Sequence, residues 1–381
     1  MTINEPTIAA GSGLRSTWVE VDLAQIGRNF DRIKALAAPA KVMAVVKANA
    51  YGHGLSEVAC YLADRADAIG VAVLEEGILL REKGVRTPIL VLGGIWGDQI
   101  PQYIRYDLTL TASSVGRLEQ IAAVARALDR KAKVHLKIDT GMERIGVHYY
   151  SASTLQEAAL RCGPWIEVEG IYSHFANADV ADLSHARLQL ERFREVLSFY
   201  EKHSLPPPLR HMANSAAILQ LPESRLDMVR PGILMYGVLP APGLARPAGV
   251  EPALAWKSRV VYFKVLRPGH PVSYGSTWQS DHPVRLVTIP VGYGDGYFRA
   301  LSNRSAVIIR GRRYPQVGAV CMDQIMIDIE GDSAYNGDET TLIGADGAER
   351  ITVEDLAGWA GTIPYEILTA INTRVPRVYR P

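Results

Sequence analysis

The chain has 381 residues, more than one ordinary domain holds, and its 48% apolar and 21% charged residues suit a globular protein rather than a disordered or membrane-spanning one. A net charge of +1 gives no electrostatic case for nucleic acid or an anionic membrane as partner. Three scattered cysteines, Cys60, Cys162 and Cys321, form neither a disulfide framework nor a zinc-ligand pattern and suit a reducing compartment.

The opening residues MTINEPTIAAGSGLRS lack a basic start followed by an apolar run, and no stretch is long enough to cross a bilayer, so a cytoplasmic location is expected. A helix is predicted over 22–37, starting at Asp22. Short β-branched runs then alternate with segments of helical period. Strands are predicted near 42–46, 68–73, 88–92, 107–111, 133–138, 166–173, 209–212 and 226–229. Among the helices between them are 113–129, capped by Ser113 or Ser114, and 184–204, where Leu190, Phe193, Leu197 and Tyr200 recur at helical spacing. Eight such units imply an α/β fold with a parallel sheet closed into a (β/α)8 barrel over 18–245, with a doubly wound open sheet as the alternative. The proline- and glycine-rich run PAPGLARPAGVEP, 240–252, reads as a linker. Beyond it short strands at 253–266, 284–291, 305–309, 316–330 and 339–343, with one helix near 353–359, predict a mainly β domain over 246–381, against which residues 1–17 would pack.

Within this frame the run AVVKANAYGHG, 44–54, carries the most chemistry. It sets Lys47 at the end of an apolar strand, before a glycine-punctuated turn. Burial there would depress the lysine pKa and free its amine for Schiff-base chemistry. Other unusual polar residues also fall at strand ends, where parallel barrels gather their chemistry. Asp139 and Arg144 follow strand five and His174 follows strand six. Asn214 and Ser215 follow strand seven, and Arg230 follows strand eight. The loops after strands seven and eight commonly hold phosphate in barrels, and here they supply the Ser215 hydroxyl and the backbone N–H groups of Gly232 and Ile233.

The run at 44–54 resembles the pyridoxal-phosphate attachment site of alanine racemases. The resemblance extends through KIDTGMERIG (137–146), SHFANAD (173–179), ANSAA (213–217), VRPGI (229–233), VSYGST (272–277), VGYGDGY (291–297), CMDQ (321–324) and PYEI (364–367). It implies an isomerase that interconverts L-alanine and D-alanine, making D-alanine for peptidoglycan or consuming it. By the same resemblance, Lys47 would bond the cofactor, and Tyr51, Ser215, Gly232, Ile233 and Tyr365 would hold its phosphate. Asn214 would lie at the same cofactor site. Arg144 would face the phenolate oxygen and the substrate, and Arg230 the pyridine nitrogen, with His174 packed beside it. Tyr274 would be the second base and Met322 a wall of the substrate pocket, both supplied by the partner of a homodimer. Lys137 matches a lysine that is often carbamylated in the family. Ala319 departs from the arginine that many members carry near the channel to the site.

Two bases on opposite faces of Cα explain the pairing of Lys47 with Tyr274, because racemisation removes a proton from one face and returns one on the other. A tyrosine is a poor base at its free pKa near 10, so cationic neighbours must favour its phenolate. An arginine facing the pyridine nitrogen keeps its proton, which leaves that nitrogen neutral and any carbanion short-lived, disfavouring transamination. A decarboxylase of basic amino acids and a non-catalytic pyridoxal-phosphate carrier are disfavoured by the VSYGST and CMDQ motifs and by the long β region. A broad-specificity racemase is the nearer alternative, since one methylene changes binding by only about 1–3 kcal/mol.

Overall fold

A computed structural model describes residues 15–380 of the chain. Its contacts divide the described residues into two units, one of residues 27–50 and 54–250, the other of 15–26, 51–53 and 251–380.

The first unit is a ring of eight parallel strands, Lys41–Val45, Ala68–Val71, Ile89–Val91, Leu110–Ala112, Ala132–Asp139, Ile166–Tyr172, Leu209–His211 and Met228–Val229. All eight lie where the sequence predicts them. The last strand pairs with the first through Met228 and Lys41, and a parallel bridge between Leu90 and Thr109 joins the third strand to the run leading into the fourth. These contacts close the barrel and exclude the open sheet. Helices follow the strands in the βα order expected. Val115–Ala127 starts at Ser114, whose Oγ accepts from the Arg117 N–H at 3.2 Å, and Ser184–Lys202 buries Leu190, Phe193 and Tyr200. Met43, Ala68, Leu90 and Met228 fill one apolar layer of the interior. Another layer is polar, with His135, Lys137, Thr111, His211 and Arg230 all buried.

The second unit is built on a ten-stranded sheet that runs Tyr262–Leu266, Val284–Ile289, Ile325–Asp328, Arg312–Val317, Ala306–Ile309, Glu339–Asp346, Leu254–Arg259, Trp18–Asp22 and Arg377–Arg380, with Glu349–Ile351 paired to Glu339–Asp346. The barrel expected from residue 18 therefore begins later. Trp18–Asp22 pairs antiparallel with 254–257 and parallel with 377–380. Its alternation, with Val19 and Val21 fully buried, announces a strand but not its neighbours. Thr17 packs in the same unit, its Oγ1 2.7 Å from Ser258 Oγ. The expectation for residues 1–14 lies outside the described residues. The expected strand 253–266 is two strands, and 316–330 is interrupted by the loop 318–324 that carries the CMDQ motif. Among the described residues no helix is long and apolar enough to cross a membrane.

Candidate active site

Lys47 stands two residues beyond the first barrel strand. The next four residues, Ala48, Asn49, Ala50 and Tyr51, have φ of 54°, 55°, 51° and 52°, so a run of L-residues turns left-handed immediately after the lysine. Each costs about 1–2 kcal/mol relative to the right-handed form, so such a turn persists only where its surroundings dictate it. Ala50 N donates to Val46 O at 2.7 Å and Gly54 N to Asn49 O at 2.9 Å. Asn49 Oδ1 accepts from Leu55 N at 2.9 Å, and Glu76 Oε1 accepts from Ala48 N at 2.7 Å. Burial holds the Lys47 amine below the usual lysine range; Arg144 and Arg230 add to the effect and Glu76 opposes it. The outcome is an amine fixed at a strand end with reduced proton affinity.

Arg230 organises the polar layer. It is 5% exposed, and its guanidinium donates to Ser173 O at 2.8 Å, Met212 O at 3.1 Å, His211 Nδ1 at 2.8 Å and His174 Nδ1 at 3.1 Å. Burial lowers its pKa to about 10, still far above neutrality, so it remains a cation. A guanidinium can only donate, which makes both histidine Nδ1 atoms acceptors and leaves their protons on Nε2. His211 Nε2 then donates to His135 Nδ1 at 2.8 Å. Burial, reinforced by Arg230, pushes His135 down to about 3 and holds His174 and His211 well below the usual histidine range. All three rings are therefore neutral.

Lys137 lies in the same layer, 5% exposed, with its Nζ 4.8 Å from the Tyr172 ring centroid and donating to Ile138 O at 3.3 Å. Burial and then Arg230 lower it to about 7. Asp139 at the strand end orders the next loop, its Oδ1 accepting from Gly141 N and Met142 N and its Oδ2 from Arg144 N. Burial works against ionisation of Asp139, but these backbone donors outweigh it and hold the carboxyl below the usual carboxylate range. The Arg144 backbone is thereby anchored while the residue remains exposed.

After strand seven, Asn214 caps the helix Ser215–Gln220, its side chain accepting from Ala217 N at 3.0 Å. The buried Ser215 Oγ accepts from Gly232 N at 2.9 Å and Leu234 N at 3.3 Å, tying the loop after strand seven to that after strand eight. Ser215 and Ile233 each open a helical turn, so their N–H groups have no acceptor within it. That is how backbone presents donors to an anion.

In the second unit, the buried Tyr51 ring lies 6.1 Å from that of Tyr365, and burial, then Tyr365, raises its pKa. Gly52 has φ of 81°, and a side chain there would meet Leu368 O at 2.2 Å; its own carbonyl accepts from Arg377 Nε at 3.0 Å. Tyr274 begins a short turn after Ser273, whose Oγ donates to Ala319 O at 2.6 Å. Tyr274 is 72% exposed and Met322 52%, whereas Ala319 is buried. A groove of about 690 Å³ is lined by Tyr262, Leu266, Val272, Tyr274, Cys321 and Met326 among others. The loop carrying Met322 is pinned by Tyr293 N donating to Cys321 O and Gly294 N to Met322 O at 2.8 Å.

Pyridoxal phosphate needs a nucleophilic amine, an anion seat and a group for its ring nitrogen. The residues present fit it: Lys47 has the lowered amine, the turns at 215 and 233 have N–H groups to spare, and Arg230 is a fixed donor. The barrel brings together Lys47, Lys137, Arg144, His174 and Arg230, and the four cationic side chains all act electrostatically on His174. His211, His135 and Glu76 were not singled out from sequence. His211 does sit at a strand end two residues before ANSAA. Glu76 follows another acid, Glu75, and nothing in the pattern separates the two.

Residues 21–240 match the family described as alanine racemase, N-terminal domain, and 253–379 that described as alanine racemase, C-terminal domain. The chain is 45% identical over 372 residues to an alanine racemase of Carboxydothermus hydrogenoformans, covering 96% of this chain and 100% of that one. It is 44% identical to one of Symbiobacterium thermophilum, covering 96% and 98%. Among solved structures, alanine racemase of Streptomyces lavendulae superposes with a TM-score of 0.93 at 37% identity, covering 96% and 97%. That of Bacillus anthracis with bound L-Ala-P gives 0.88 at 36%, covering 96% and 95%.

Proposed function

Because the chain belongs to the alanine racemase family and interconverts L-alanine and D-alanine, we propose that Lys47 and Tyr274 are its two proton-transfer groups. The observation that carries this reading is the Lys47 amine, set by a left-handed turn at the strand end and held by burial below the usual lysine range. Bound pyridoxal phosphate would supply an electron-withdrawing ring that acidifies the Cα proton of the substrate. Lys47 would hold that cofactor and move the proton on one face of Cα. Tyr274 moves it on the other.

The remaining residues bind and orient. Ser215 and Ile233, with Tyr51 and Tyr365, would hold the phosphate, Gly232 tying the two loops of that seat together through the Ser215 hydroxyl, and Asn214 fixes the helix that presents Ser215. Arg230, its direction set by His211, His174, Ser173 and Met212, would serve the ring nitrogen of the cofactor without surrendering a proton. Arg144 would serve the phenolate oxygen of the cofactor and the substrate. Lys137, with an amine near pKa 7, is partly neutral at physiological pH and so reacts with carbon dioxide to form a carbamate and release a proton. The resulting negative group would steady Arg144. Met322 would form a wall of the substrate pocket.

Tyr274 and Met322 are exposed side chains whose roles require a second surface, which supports a homodimer whose subunits complete each other's sites. The three unpaired cysteines support a cytoplasmic location. Borohydride reduction followed by peptide mapping tests the core assignment. A pyridoxyl group on Lys47 is expected, and label on another lysine overturns it.

A further inference from the structure

We infer that Glu76 is a positioning residue for Lys47, its carboxylate clamping the left-handed turn that follows the lysine to the end of the second barrel strand. Glu76 lies in the first turn of the helix Leu74–Glu82. One oxygen, Oε1, accepts from Ala48 N at 2.7 Å; the other, Oε2, accepts from Ala72 N at 2.8 Å. Ala72 directly follows the strand Ala68–Val71, and Ala48 directly follows Lys47. One side chain thus fixes the residue after the catalytic lysine against the neighbouring strand.

The geometry is selective. Two N–H donors need two acceptors on one planar group, which a carboxylate offers and an amide does not; glutamine would turn its NH₂ toward one of the donors. Aspartate is a methylene shorter and could not span the same two amides from the same backbone position. The turn also needs an external hold, because Ala48, Asn49 and Ala50 are L-residues at φ above 50°. The opposite end of the turn is held through Asn49, whose side chain accepts from Leu55 N. Glu76 supplies a side-chain tie at the Ala48 end. It also has an electrostatic role: of the charged groups that act on the Lys47 amine, Arg144 and Arg230 are cations and Glu76 is the anion.

This inference rests on Lys47 as the cofactor lysine, and the test separates the two. The full-length chain is stripped of cofactor, and pyridoxal phosphate is added back across a range of pH. The absorbance of the attached cofactor gives capture and release rates, and borohydride mapping gives the lysine used. In Glu76→Gln the midpoint of capture is expected to move to lower pH, because a counter-charge to the amine is lost. Release should quicken by about tenfold, as for loss of one charge-assisted hydrogen bond. Adding Ala48→Gly to Glu76→Gln should slow release again, since glycine adopts the left-handed conformation without strain, while leaving the midpoint displaced. A folded Glu76→Gln protein with unchanged midpoint and unchanged release, still labelled on Lys47, overturns the inference. Label on another lysine in the unaltered chain overturns the Lys47 assignment instead. If Glu76→Gln does not fold, hydrogen exchange on the unaltered holoenzyme decides. The Ala48 amide belongs to an exposed residue yet should exchange slowly, and fast exchange overturns the clamp.

Discussion

Mixing two inactive variants, Lys47→Ala and Tyr274→Phe, is expected to restore activity that neither has alone. Each variant loses a positioned proton-transfer group, which lowers turnover by about 10²–10⁴. Tyr274 is 72% exposed, so removal of its oxygen leaves the packing of its own chain intact and the defect is confined to chemistry. If Tyr274 serves the partner's site, a mixed dimer holds one undamaged site and one that lacks both groups. Random pairing of equal amounts makes half of the dimers mixed, so about one quarter of all sites should be intact. Mixed dimers isolated through two different tags should show about half the specific activity of the unaltered enzyme, by the same symmetry. The assay is a chiral measurement of alanine in both directions, with the mixed species confirmed by native mass. Isolated mixed dimers as inactive as their parents would refute the reasoning, because Tyr274 would then act within its own subunit or not at all.

Ser215→Ala removes the acceptor of the buried Gly232 and Leu234 N–H groups, and should cost about 2 kcal/mol or more in denaturant unfolding as well as loosen pyridoxal phosphate. In buffer free of carbon dioxide, Lys137 binds fewer protons folded than unfolded between about pH 7 and the ordinary lysine range, so its contribution to stability should rise with pH across that window. Lys137→Met should flatten the rise, and an unchanged slope would argue against a buried amine. Burial and then Arg230 depress His135, His174 and His211, so Arg230→Gln should let their imidazole signals in NMR titrate at higher pH than in the unaltered chain. Protein stability should also fall by about 1–3 kcal/mol, because the acceptors that Arg230 serves, Ser173 O and Met212 O among them, lose their donor.

The places of Lys47, Arg144, His174, Ser215 and Arg230 just beyond strand ends were legible, because period and length alone mark where strands end. The polar layer beneath them was not. His135 and His211 lie 76 positions apart, yet His211 Nε2 donates to His135 Nδ1 at 2.8 Å. Such pairs arise from closing the barrel, where side chains on every other strand meet at one level. Glu76 shows the same limit at shorter range, since its value depends on which two amides its oxygens reach.

By itself the sequence determined the βα alternation, the eight barrel strands, the later β region and the place of Lys47 beyond the first of those strands, because these follow from local period, turn residues and contiguous motifs. Tertiary structure alone decided that Trp18–Asp22 joins the later sheet, that the turn after Lys47 is left-handed, and that Arg230 fixes the tautomers of two histidines. The physical reason is that strand partners, strained dihedrals and buried hydrogen bonds are set by groups far apart in the chain, whose free energies exist only once the backbone has brought them together.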